Sequence, residues 1–191
     1  MKMFCLLDPT PALLVNVNPR SEKHGKAKVP AVDLRLEITG PNTMLDQLKP
    51  ELRHALYTAE GEHGAEHPEL PGVDAISPTP VLRVEGMQPV RLDDELTGYT
   101  VVFDIGTGRK DSIVELDGCK VKSFQIEALQ GGSVKILLTA QANNLKERDF
   151  GKLCMLIDCE VSLCLLPPDE PQQAGIPGAL VGGAPADVMQ H

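Results

Sequence analysis

Three sets of side chains in this sequence have the types and spacing for chemistry. The first is basic. Arg20, Lys23, His24, Lys26 and Lys28 lie close together in a polar stretch. Cations at that density meet phosphates or an acidic protein surface by charge attraction and counterion release. Arg109 and Lys110 close the run Gly106-Thr107-Gly108, and Lys120 and Lys122 follow. The candidate nucleic-acid or anion contacts are therefore Arg20, Lys23, Lys26, Lys28, Arg109, Lys110, Lys120 and Lys122. The glycines at 106 and 108 do not make a phosphate loop of the G-x-x-x-x-G-K-[ST] type. That loop must open a helix, whose N-terminus holds the phosphate. Here the following residues read as a strand, so 106–110 is a hairpin turn.

The second set is imidazole and carboxylate. His63-x3-His67 sits among Glu60, Glu62, Glu66 and Glu69, with His54 upstream. Two His at i and i+4 on a helix can share a metal. Gly61, Gly64 and Pro68 oppose a helix there, and the segment reads as a solvated acidic loop. Asp93-Asp94-Glu95 is a carboxylate run before a strand, read as a solvated turn rather than a divalent-cation site. The third set is nucleophilic. None of Ser21, Ser77, Ser112, Ser123, Ser133 and Ser162 stands in a G-x-S-x-G turn. Cys5, Cys119, Cys154, Cys159 and Cys164 do not fall at C-x2-C zinc spacing. They read as small apolar thiols buried in the core. No catalytic residue, metal ligand or cofactor is assigned.

Composition narrows the classes further. The 191 residues carry 42% apolar and 24% charged side chains, the balance of a globular chain able to bury a core. Net charge is −9, unevenly spread. Residues 1–50 hold 7 basic and 5 acidic groups, whereas residues 51–100 hold 3 and 10. Attraction of the whole chain to a polyanion is not expected; local basic patches are. Only Phe4, Tyr57, Tyr99, Phe103, Phe124 and Phe150 are aromatic. That is few for the stacking platforms of single-strand binders. No run approaches the ~20 apolar residues of a membrane-spanning helix. Met1–Leu7 is too short for a signal-peptide core, which implies a cytoplasmic protein with no membrane partner.

The elements that must position these groups are mostly strands. Ala12–Val17 reads as a first strand and 18–28 as a basic loop. Val32, Leu34, Leu36 and Ile38 alternate with Asp33, Arg35 and Glu37, a half-buried strand. Asn42 or Thr43 can cap a helix, and Met44, Leu45, Leu48, Leu52 and Leu56 recur at helical spacing. Pro50 breaks that run into two short helices ending near Tyr57. Residues 59–80 are a long acidic loop. Then come strands at 80–85 and 99–105. A strand at 112–116 follows, and Asp117-Gly118 reads as a hairpin. Strands at 119–126 and 134–138 flank the Gly131-Gly132 turn. After a polar connection, Leu153–Leu166 reads as one long last strand. The fold class is mainly β, an antiparallel sandwich or barrel of seven or eight strands with one short helical segment. It forms a single domain over 1–168, and 169–191 is a flexible Gly/Pro/Ala-rich tail.

Two segments carry a resemblance. Asn16-Val17-Asn18-Pro19-Arg20-Ser21-Glu22-Lys23-His24-Gly25, followed by Val29-Pro30-Ala31-Val32-Asp33-Leu34, resembles the opening of small proteins of unassigned function from tailed bacteriophages and prophages. Asp111–Leu138 and Cys159-Glu160-Val161-Ser162-Leu163 are similar to the second half of that family. The resemblance spans 12–168. It implies phage origin and a place among early genes for recombination and replication, with no functional residue to carry over. The meander with its Gly-Gly hairpin is also similar to phage tail-tube proteins, although no long stacking hairpin stands out.

The leading expectation is a non-catalytic binding protein acting during infection in the host cytoplasm. Its partner is DNA or a host or phage protein, including a host defence factor to which the acidic segment 60–95 mimics nucleic acid. The alternatives are a self-assembling, tail-tube-like structural protein and a metal-dependent enzyme using His54, His63, His67 or Asp93–Glu95. Homo-oligomerisation is expected of the first two, because small β proteins often cover an edge or face with a copy of themselves.

Overall fold

The computed structural model describes residues 3–24, 27–59, 80–104, 112–143 and 145–168. Nine strands run in chain order. They are β1 (Leu6–His24), β2 (Ala27–Pro41), β3 (Tyr57–Ala59), β4 (Pro80–Leu82), β5 (Val90–Leu92), β6 (Leu96–Asp104), β7 (Ile113–Ala128), β8 (Ser133–Asn143) and β9 (Glu160–Leu166). The helices are α1 (Leu45–Leu48), α2 (Leu52–Leu56) and α3 (Glu147–Cys154). Strands β1, β2, β8, β7, β6 and β9 pair in that order, all antiparallel, and β9 returns to β1. The result is a closed six-stranded barrel, with β5 added beside β7 as an extra strand. Closure satisfies backbone groups that an open sheet would expose at its edges. Strands β3 and β4 form a separate pair.

Alternation decides which side chains enter the barrel. Val32, Leu34, Leu36 and Ile38 of β2 point inward and are fully buried. Val134, Ile136, Leu138 and Ala140 of β8 do the same, as do Val101 and Phe103 of β6 and Leu163 and Leu165 of β9. Phe4 packs edge-on against Phe124, with ring centroids 5.8 Å apart. The interior is thus filled by side chains. Leu45 of α1 and Leu153 of α3 are buried in the same cluster.

The β-barrel and the alternating strand 32–38 are as expected, and so is the break between α1 and α2 at Lys49-Pro50. Several expectations are corrected. The basic stretch 18–28 is no loop: β1 continues to His24, which pairs with Ala27. Asp117-Gly118 makes no hairpin but a kink inside the continuous strand β7, where Gly118 has φ +64°. A left-handed residue serves a bulge as well as a turn. Residues 153–159 are not strand. They comprise the end of α3 and a turn, with Asp158 N donating to Leu14 O at 2.8 Å. The helix follows from Phe150 and Leu153 one turn apart, on a segment opened by Glu147 and Asp149. The N-cap of the first helical turn is Pro41, without a side-chain cap from Asn42 or Thr43. Of the thiols only Cys119 is fully buried; Cys159 is exposed, and Cys5, Cys154 and Cys164 lie between. Among the described residues no helix is long and apolar enough to cross a membrane. Most of the acidic loop and the tail lie outside the described residues.

Candidate functional site

The β1–β2 hairpin is longer than the barrel wall. Strand β8 accompanies β2 only as far as Ala31, and β9 accompanies β1 only up to Leu13. Beyond those points the pairs Ser21↔Pro30, Glu22↔Val29, Lys23↔Lys28 and His24↔Ala27 have no further sheet neighbour among the described residues. A two-stranded arm therefore projects from one end of the barrel. Its sequence gives no strand signal: none of residues 21–23 and 28–30 is buried, so no apolar alternation marks it.

Alternation splits the basic cluster between the two faces of this arm. Lys23 and Lys28 follow the inward parity of Val17 and Val32, but past the barrel end that face is open, and both are exposed. They stand directly opposite each other, an arrangement of like charge that weakens a strand pair. Arg20 lies on the other face and is held by protein carboxylates. Its Nε donates to Asp33 Oδ1 at 2.6 Å, and its Nη1 donates to Glu22 Oε1. Partial burial would lower the Arg20 pKa, but Glu22 and Asp33 outweigh it and raise it above the ordinary value. Lys26, Arg109 and Lys110 lie outside the described residues.

Lys120 and Lys122 are elsewhere, on the outer wall of β7. Lys120 is opposite Gln141 of β8, which is opposite Asp33 of β2; Lys122 is opposite Thr139, which is opposite Arg35. Strands lie about 4.8 Å apart, so these lysines are about 10 Å from β2 around the wall. Lys120 Nζ is 3.2 Å from Glu95 Oε2. The barrel thus brings Lys23 and Lys28 together and Lys120 and Lys122 together, as two separate groups.

The acidic candidates are dispersed. Asp94 pairs with Lys49 at 2.9 Å, Glu95 with Lys120, and Asp93 lines a different surface. His63 and His67 lie outside the described residues, and His54 is exposed on α2. Among the described residues no three His, Cys, Asp or Glu side chains gather as metal ligands.

One cavity was not anticipated. It occupies about 340 Å³ on the outer wall beside β5 and β7, with Arg35 contributed by β2 from the far side of β8, and its lining includes Arg35, Arg91, Asp93, Ser123 and Gln125. Ser123 is left-handed, with φ 57°, at a register shift between Lys122 and Gln125. Arg35 was legible as an outward-facing residue. Arg91 sits on a strand too short to be seen in sequence, and a serine carries no signal that it is left-handed.

Comparison with protein-family models, curated proteins and solved structures gives no match to this chain. The chemistry of both places rests on their own side chains: two lysines on a projecting ribbon, and two arginines over a polar cavity.

Proposed function

We propose that this chain is a non-catalytic binding protein of a tailed bacteriophage or prophage, and that its β1–β2 arm engages the phosphate backbone of DNA during recombination or replication. The observation that supports this reading is the arm itself, with Lys23 and Lys28 paired on its open face and, among the described residues, no neighbouring strand beyond Ala31. A two-stranded ribbon has the dimensions of the major groove. Paired lysines retained against their mutual repulsion fit a polyanionic partner that neutralises them. The net charge of −9 disfavours contact through the rest of the surface and so orients the arm toward the partner.

The test is fluorescence anisotropy with labelled single- and double-stranded DNA at low and physiological salt. Binding should fall steeply with salt. In the Lys23→Ala, Lys28→Ala double variant the logarithmic salt slope should drop by about 2. No binding at low salt, or an unchanged slope in the double variant, overturns the DNA reading and favours a host protein as partner.

A second reading, a self-assembling structural protein, draws on the same arm, because among the described residues neither of its edges has a neighbouring strand. Pro19, Pro30, Lys23 and Lys28 argue against it. Proline removes a backbone donor and lysine repels an incoming strand, two devices that blunt sheet edges. Light scattering over a concentration series should therefore give no arm-dependent polymer. Assembly lost on deleting 21–30 would reverse that preference.

A further inference from the structure

We propose that the outer-wall cavity beside Ser123 binds a phosphate ester. Arg35 of β2 and Arg91 of β5 reach it from strands that do not pair with each other. Arg91 stands opposite Gln125 in register, and Arg35 Nη2 donates to Gln125 Oε1 at 3.4 Å. Among the described residues that one long contact is the side-chain hydrogen bond made by either guanidinium, and neither forms an ion pair there. Two planar guanidiniums with donors to spare match the oxygens of a phosphate, which each can meet bidentately. Other cations of the wall are answered by protein carboxylates: Arg20 by Asp33, Lys120 by Glu95, Lys135 by Glu37.

The backbone supplies a second, independent observation. The bulge in β7 turns Ser123 into the cavity lining in a left-handed conformation that serine adopts at a cost. Bulges re-aim single side chains and recur beside functional sites. Here the re-aimed group is a hydroxyl, which can donate to a phosphate oxygen. Asp93 lies on the same lining. It opposes a bare dianion but accepts a hydrogen bond from a ligand hydroxyl. The ligand that fits is thus a phosphate carried on a sugar, either as a free nucleotide or as part of a nucleic-acid strand. This site is independent of the arm.

The experiment uses the full chain labelled with nitrogen-15, and follows the amide signals of Ser123, Phe124 and Gln125. The probes are inorganic phosphate, adenosine monophosphate and a short single-stranded oligonucleotide. Saturable shifts are expected with phosphate and at lower concentration with the nucleotide. Arg35→Gln and Arg91→Gln should each weaken nucleotide binding about tenfold, and Asp93→Ala, which removes the acceptor, should erase the nucleotide's advantage over phosphate. An oligonucleotide that competes with the nucleotide identifies a strand as the source, and one that does not identifies the free nucleotide; both support the phosphate site. Absent saturable shifts with both phosphate and nucleotide overturn it. So does equal binding by the Arg35→Gln, Arg91→Gln double variant, provided its remaining amide spectrum is unchanged. Lys23→Ala with Lys28→Ala should leave these shifts intact, so this site and the arm fail separately.

Discussion

Tyr99 is fully buried, and its hydroxyl meets no hydrogen-bond partner among the described residues. A buried hydroxyl without a partner loses its hydration and gains nothing in return. Tyr99→Phe keeps the ring and removes that cost, so it should raise stability by about 1 kcal/mol in chemical denaturation. Burial also pushes the Tyr99 phenol from 10.0 up to about 12, with a smaller contribution from Cys5. Burial likewise pushes the Cys119 thiol from 9.0 up to about 12, Asp117 adding to it and a backbone hydrogen bond opposing it. Both groups are neutral when protonated. Between their unfolded and folded pKa values the unfolded chain has released these protons while the folded chain still holds them. Stability must therefore fall as pH rises from about 9 toward 12. Tyr99→Phe should flatten the part of that fall above about pH 10, measured as Tm against pH. The same burial keeps Cys119 as an unreactive thiol, whereas exposed Cys159 should react first with a thiol reagent. The sequence shows five cysteines, but not which one the barrel encloses.

At the scale of the element, turns and bulges decide more than propensity does. Gly131 and Gly132 both have positive φ, between β7 and β8, as a Gly-Gly hairpin should. The structure adds a neighbour. A Cβ on Gly132 would lie 2.9 Å from Pro80 Cγ of β4, whereas one on Gly118 would meet nothing within 4 Å. Gly118→Ala should thus cost about 1 kcal/mol of backbone strain, and Gly132→Ala about 1 kcal/mol more for the clash. Denaturant midpoints of the two variants measure the difference. Tyr57 fixes the same turn from the other side, its hydroxyl accepting from Leu129 N at 3.1 Å and donating to Ser133 O. Leu153–Leu166 misleads for a related reason. Its apolar stretch 153–157 is short, and a short apolar stretch does not distinguish helix from strand; Asp158 and Glu160 interrupt the run where the chain turns into β9. The β1–β2 arm is the opposite case, since strands that bury nothing leave no apolar period to read.

At the scale of the whole molecule, six strands share one filled interior. Leu36 and Leu138 are cross-strand partners there, both fully buried. Truncating either to Ala should cost 2–5 kcal/mol, read as a shift in denaturation midpoint without loss of cooperativity. A filled barrel offers its outer surface to partners. The outer surface described here is largely self-neutralised, with Lys135 lying between Glu37 and Glu127 and Lys49 beside Asp94. The lysine pair on the arm and the arginine pair beside Ser123 depart from that pattern, and the two binding proposals belong to them.

The β class, the inward set Val32, Leu34, Leu36 and Ile38, the helix break at Pro50 and the Gly131-Gly132 turn were all legible in the sequence. Each follows from local rules: side-chain period, the missing proline donor and the conformational freedom of glycine. Closure into a barrel depended on tertiary structure, because it requires β1 to meet β9, β2 to meet β8 and β6 to meet β9, pairs distant in sequence, in matched register. So did the separation of Lys23 and Lys28 from Arg20, since a strand's two faces differ only once the strand is placed. The meeting of Arg35, Arg91 and Ser123 belongs there too, because three residues distant in sequence become neighbours only when the sheet has curved.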